Sequence, residues 1–131
     1  MADTKTGKFV QISSNNFEQL LKQLGVPDDQ VAKWSGAKHT IEMSKTGDEV
    51  HIMSTNGDHV RDTKFKLGVK YSEKFNGKDV QAIGVKEGNR ITHTIGEGDK
   101  QLKVVYEWNG NELRVTSTAG PVVAVRTYAK Q

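Results

Sequence analysis

The chain has 131 residues, and 19 Lys and Arg against 16 Asp and Glu leave a formal charge of +3. A scattered charge of this size argues against nucleic acid as a partner, because phosphate recognition needs basic residues clustered on one element. The chain has no cysteine, which excludes disulfides and thiolate metal sites. We expect a single domain over residues 1–131.

The hydropathy of the chain predicts a soluble intracellular protein. The start "MADTKTGKFV" lacks the apolar run of a signal peptide. No window approaches the ~18 consecutive apolar residues of a membrane-spanning helix. Together with the missing cysteines, this favours a reducing compartment, the cytoplasm.

A helical segment is predicted at residues 13–36. In "SSNNFEQLLKQLG" the apolar residues recur at the spacing of one helix face: Phe17, Leu20, Leu21 and Leu24. We predict that Asn15 caps this helix in a capping box with Glu18, and that Gly25 follows its last turn. A second short helix is predicted in "PDDQVAKWSG", which begins at Pro27.

Turn signals recur about every ten residues through the rest of the chain. They are "TGDE", "NGDH", "LGVK", "NGKD", "EGNR", "GEGD", "NGNE" and "AGPV". The runs between them, such as "NRITHTI" and "QLKVVYEW", are rich in β-branched and aromatic residues. This pattern predicts one strand, two helices and then about nine strands in a meander.

So long a meander leaves exposed edges unless it closes on itself. We therefore predict a closed or nearly closed barrel covered by a two-helix lid. Because eight strands suffice to hold a small ligand, about ten should leave a larger interior. Serine, threonine, histidine and arginine on the inward rows favour a cavity with water or ligand over a fully packed core.

The last strand carries an unusual inward row in "VVAVRTYAK". Alternation places Arg126 and Tyr128 on one face with Val122 and Ala124. A buried cation needs an anion, water or a carbonyl as partner. The alternative interpretation is a solvated arginine near the end of an edge strand.

Four motifs resemble the intracellular fatty acid-binding protein family: "GKF" with "SSNNF", "KQLGV", "FKLGV" and "VRTYAK". Their order and separation, from Gly7 nearly to the C-terminus, carry the resemblance. It implies an all-β, ten-stranded antiparallel up-and-down barrel of calycin-like architecture with a two-helix lid near the N-terminus. It also implies a monomer that holds a long-chain fatty acid or similar lipid inside.

The resemblance further implies that Arg126 and Tyr128 bind the ligand carboxylate, which suits the planar fork of guanidinium donors. The other candidate ligand contacts lie on predicted inward faces, and they are Phe17, Leu21, Ile41, Ile52, His93, Ile95, Val115 and Ser117. For His93, an interior histidine hydrogen-bonded to water is the alternative to a ligand contact. For Tyr128, the alternative is a packed aromatic with a backbone partner.

Two positions depart from the family pattern. Tyr106 stands where fatty-acid binders of the family usually carry a second arginine, so it either contacts the head group or only fills space. The turn around Gly57 and Asp58 lacks the aromatic residue that many members place at the portal. Phe9 stands where tryptophan is usual.

These observations predict a non-enzymatic carrier of one or more long-chain fatty acids, which it exchanges with membranes or partners. A carrier of a retinoid, bile acid or other bulky amphiphile is the alternative ligand class. An enzyme and a ligand-free interaction module are conceivable functions of a different class, but no nucleophile elbow, metal motif or phosphate-binding loop is present. We expect no metal and no cofactor.

The resemblance suggests transient membrane contact through the lid, where Lys22 and Lys33 lie on polar faces.

Overall fold

The computed structural model describes residues 7–36, 39–56, 59–75, 78–96 and 101–130. Within these ranges the chain forms two helices and ten strands. Their bounds are β1 Gly7–Asn15, α1 Phe17–Gln23, α2 Asp28–Gly36, β2 His39–Thr46, β3 Glu49–Asn56, β4 His59–Lys66, β5 Tyr71–Phe75, β6 Lys78–Glu87, β7 Arg90–Ile95, β8 Leu102–Asn109, β9 Glu112–Ala119 and β10 Val122–Lys130. None of the helices in the described ranges is both long and apolar enough to span a membrane.

The ten strands form one antiparallel sheet in the order β4-β3-β2-β1-β10-β9-β8-β7-β6-β5. Each of the nine strands after the helices pairs with its neighbours in sequence, except that β4 does not pair with β5. The first strand, β1, pairs with β10 and β2. Turns fall where glycine was expected, as at Gly47 and Gly110, whose φ values of 60° and 64° disfavour other residues. The predicted meander and nearly closed barrel are confirmed.

The beginning of the helical segment differs from the prediction. Residues 13–15 belong to β1, where Ser14 pairs with Arg126 and Asn15 with Val125. The N-cap of α1 is Asn16, not Asn15, and it makes no side-chain cap hydrogen bond. Its backbone is left-handed, with φ of 68°. The predicted capping box is therefore wrong, because pairing with β10 carries the strand one residue further and leaves only Asn16 for the bend.

The end of α1 agrees with the prediction. Gly25 follows the C-cap residue in a left-handed conformation, with φ of 84°. Its N–H donates to the Lys22 carbonyl at 3.1 Å, and the Val26 N–H donates to the Leu21 carbonyl at 3.0 Å. These two bonds form a Schellman motif, which satisfies carbonyls at the helix end. The second helix, α2, then begins at Asp28, directly after Pro27.

Alternate residues of the strands face inward and form one apolar cluster with the underside of α1. Leu20 of α1 is 2% exposed, and α1 packs on β10 and β9. Full burial of a side chain of this size contributes about 1.5–3 kcal/mol. The two helices therefore lie over the barrel where β9 and β10 pass beneath α1.

Contacts across the open seam between β4 and β5 involve Gly84 of β6. The Gly68 N–H donates to the Gly84 carbonyl at 2.8 Å, and Leu67 forms an isolated parallel bridge with Gly84. A Cβ atom at residue 84 would lie 2.1 Å from a ring carbon of Phe65. Because Gly84 has no side chain, the Phe65 ring can pack against its backbone. This contact joins β4 to β6, although the short edge strand β5 lies between them in sequence.

We expect Gly84→Ala to destabilise the protein by about 1–3 kcal/mol, because the new methyl group must displace the Phe65 ring. Urea denaturation of the parent and the variant measures this loss. The Phe65→Leu background is the control, since removal of the ring should reduce the cost of Gly84→Ala. An equal cost in both backgrounds would contradict the proposed contact.

Candidate functional site

Arg126 stands in a row of inward-facing residues that crosses four strands. It pairs with Val115, which pairs with Tyr106, which pairs with Ile91. Val115, Tyr106 and Ile91 are buried, and Arg126 is partly buried between the buried residues Ala124 and Tyr128 of its own strand. The structure therefore places Arg126 on the inward face, as predicted, and not at a solvated position on an edge strand.

The Arg126 guanidinium contacts one residue of the lid and one of β2. Its Nη1 lies 2.8 Å from Nδ1 of His39. Its carbon Cζ lies 4.2 Å from the centre of the Phe17 ring, within the range of a cation–π contact. Phe17 and His39 also meet edge to face, with ring centres 5.1 Å apart. Arg126, Phe17 and His39, which we call the Arg126 cluster, join β10, α1 and β2.

Within the residues that the structure describes, no carboxylate neutralises Arg126. Ion pairs among these residues join Lys22 to Glu18 at 3.4 Å and His51 to Asp62. A hydrogen bond to a neutral imidazole and the face of a ring stabilise a guanidinium but leave its charge in place. The arrangement therefore suits the binding of an anion.

Tyr128 places a buried hydroxyl beside this cation. The residue is 0% exposed, and its ring centre lies 5.9 Å from the guanidinium carbon of Arg126. Among the described residues the hydroxyl has no hydrogen bond of normal geometry. Burial raises the pKa of Tyr128, and the positive charge of Arg126 and a weak hydrogen-bonding approach of its guanidinium oppose this rise. The net pKa is raised, so the hydroxyl stays protonated at neutral pH and can donate to an anion.

Tyr106 lies on the same row, two strands from Arg126. It is 8% exposed, and its ring stacks near Trp108 with centres 6.5 Å apart and an interplanar angle of 28°. The structure thus has a buried aromatic pair where the family pattern suggests a second cation. The sequence allowed two roles for Tyr106, a contact with the ligand head group or only the filling of space. Both remain predictions.

His93 belongs to a different cluster, on the wall formed by β4, β5 and β7. It is 2% exposed, and its Nε2 lies 2.5 Å from the Tyr71 hydroxyl. The Phe65 ring stacks on His93 with centres 4.7 Å apart. One protein partner of His93 is therefore a tyrosine next to the Gly84 contact, and the Arg126 cluster as defined does not include His93.

The other predicted contact residues all lie buried in the described part of the chain, and they are Leu21, Ile41, Ile52, Ile95, Val115 and Ser117. Their ligand contacts remain predictions. Gly57 and Asp58 lie outside the described residues. Sequence reasoning missed His39, although the alternation of β2 offered a signal, since His39 shares its buried face with Ile41 and Met43.

Comparison with known proteins agrees with this architecture. A model of the lipocalin / cytosolic fatty-acid binding protein family matches residues 6–131. Fatty acid-binding proteins of Lepidoglyphus destructor and Tyrophagus putrescentiae are 34% and 33% identical, and the alignments cover 95% of this chain and 95% and 96% of the relatives. A crystal structure of a brain fatty acid-binding protein of Drosophila melanogaster is 31% identical, with a TM-score of 0.89 and coverage of 95% and 98%. As its motifs predicted, the chain belongs to the lipocalin / cytosolic fatty-acid binding protein family.

Proposed function

We propose that this protein is a carrier that binds one or more long-chain fatty acids inside the barrel and exchanges them with membranes or partners. The carboxylate would lie against Arg126 and Tyr128, and the acyl chain would run along the buried apolar side chains. The protein would act as a monomer in the cytoplasm, without a metal or a cofactor.

One observation carries this proposal. Arg126 is a permanent cation on an inward apolar face, no carboxylate pairs with it among the described residues, and the buried Tyr128 hydroxyl beside it lacks a hydrogen bond of normal geometry there. A carboxylate would accept from both groups, and charge-assisted hydrogen bonds of this kind are short and strong. An anionic head group would thus compensate both groups at once.

The apolar wall supports a long acyl chain as the remainder of the ligand. Each methylene group removed from water contributes about 0.8 kcal/mol, so a long chain provides a large driving force even after the cost of association. The relatives from Lepidoglyphus destructor and Tyrophagus putrescentiae are fatty acid-binding proteins, which favours the same ligand class here. Both lines of support favour a carrier over an enzyme.

A bulky amphiphile such as a retinoid or bile acid is the second candidate. The observation that favours it is the buried pair of Tyr106 and Trp108, which offers an aromatic surface where the family pattern suggests a second arginine. One cation instead of two weakens the preference for a carboxylate, and aromatic faces suit rings.

Exchange with membranes is proposed to use the lid. Lys22 and Lys33 are exposed on α1 and α2, and the pairing of Lys22 with Glu18 is a surface ion pair of small energetic effect. Each exposed lysine near an anionic lipid surface contributes about 1 kcal/mol to the free energy of membrane binding. Contact through these residues would bring the lid to the bilayer during transfer.

We expect Arg126→Gln to weaken oleate binding by about 1.5–3 kcal/mol, because a charge-assisted hydrogen bond is lost. Isothermal titration calorimetry measures the loss, and circular dichroism verifies the fold. Arg114→Gln is the matched control, since Arg114 is exposed on the outer face of the neighbouring strand β9. Equal affinity of the parent and Arg126→Gln would refute the head-group assignment.

The substitution Tyr106→Arg separates the two ligand classes. If fatty acids are the ligands, a second guanidinium should raise oleate affinity by at most about 1–3 kcal/mol, since its desolvation offsets part of the gain. The ligand-free variant should melt at a lower temperature, and oleate should raise its melting temperature more than that of the parent. Weaker oleate binding with an intact fold would favour the bulky amphiphile instead.

The double variant Lys22→Gln/Lys33→Gln tests the lid as the membrane contact. We expect slower transfer of a fluorescent fatty acid to anionic vesicles and little change with neutral vesicles, because the electrostatic attraction is removed. Stopped-flow fluorescence measures the rates. Lys86→Gln, at an exposed position near the end of β6, is the control, and equal slowing by this control would argue against a specific role of the lid.

A further inference from the structure

The contact between Arg126 and His39 fixes the protonation of the imidazole. Arginine has only donors, so the hydrogen bond of 2.8 Å between Nη1 of Arg126 and Nδ1 of His39 requires an unprotonated Nδ1. His39 is therefore a neutral imidazole with its proton on Nε2. A positive charge nearby also disfavours a second cation on the ring.

Two contacts hold the guanidinium. Its carbon Cζ lies over the Phe17 ring, 4.2 Å from the ring centre. Its Nη1 donates to Nδ1 of His39 at 2.8 Å, which limits the rotation of the group. A flexible arginine side chain loses rotamer entropy when a ligand fixes it in place. In the Arg126 cluster this ordering is present before any ligand arrives.

We propose that His39 is a positioning residue that orients Arg126 for an ionised carboxylate and thereby makes the site selective for anionic over neutral lipids. The guanidinium has five N–H donors, and His39 takes one of them, so the remaining donors can bind a carboxylate bidentately. This inference rests on the proposed function, and it adds a residue to the head-group site that the family pattern of Arg126 and Tyr128 does not contain.

A neutral acceptor suits an apolar wall that already carries the Arg126 cation. A second arginine would add charge, and two guanidinium groups repel each other when the interior is empty. His39 adds order to Arg126 without adding charge. Its burial, with 5% exposure, and its edge-to-face contact with Phe17 hold the imidazole in place.

The test compares oleate with methyl oleate, which differs in the charge of its head group. In His39→Leu, calorimetry should show about tenfold weaker oleate binding, because Arg126 loses its orienting bond. Methyl oleate binding should be unchanged. In His39→Asn, the side-chain oxygen can replace Nδ1 as acceptor, so most of the preference for oleate should return. Equal loss for oleate and the ester in His39→Leu would mean a packing role and would overturn the inference.

A double-mutant cycle separates this inference from the proposed function. With Arg126→Gln present, His39→Leu should have no further effect on oleate affinity. If Arg126→Gln weakens oleate binding and His39→Leu does not, the positioning role is wrong and the proposed function stands. If the parent does not bind oleate, the proposed function itself fails.

The parent protein provides a readout that needs no substitution. Nitrogen-15 NMR of the His39 ring at neutral pH should show an unprotonated Nδ1 and a protonated Nε2, both without ligand and with oleate bound. A protonated Nδ1 in the ligand-free protein would overturn the positioning role, even if His39→Leu fails to fold.

Discussion

A permanent positive charge on the inner wall of an apolar barrel is the constraint on which the site depends. Arg126 cannot lose its proton, and transfer of a bare cation from water to an apolar interior costs far more free energy than one hydrogen bond returns. The fold offsets part of this cost through the imidazole of His39 and the ring of Phe17. Since neither group is anionic, the proposed acidic ligand would complete the compensation. Phe17 begins α1, so the Arg126 cluster and the lid share a residue.

The architecture was largely predictable because its signals are local. Glycine at regular intervals and β-branched runs between them specify hairpins, and a long chain of hairpins has few ways to satisfy its edges. Long-range contacts gave no such signal. The strand β1 extends to Asn15 because it pairs with β10, more than one hundred residues away, and Gly84 is needed because Phe65 of another strand approaches its backbone. Neither partner is visible in a short window of sequence.

The site was predictable in part. Alternation along β10 placed Arg126 and Tyr128 on one face, and the resemblance gave them a role. His39 was missed because its importance comes from a contact with Arg126, 87 positions along the chain. His93 was considered from its inward position, but its hydrogen bond to Tyr71 depends on how the strands β5 and β7 meet in space. Periodicity thus identifies the face on which a side chain lies. The partner that the side chain contacts can be identified only from the folded structure.

A crystal structure of the complex with oleate tests the central claim most directly, because it shows where the head group lies. We expect the carboxylate oxygens within about 3 Å of the Arg126 guanidinium and the Tyr128 hydroxyl, which is normal hydrogen-bond distance. The acyl chain should run along the buried apolar side chains. A carboxylate bound elsewhere, for example against Tyr71 and His93 on the other wall, with Arg126 still held only by His39 and Phe17, would contradict the account.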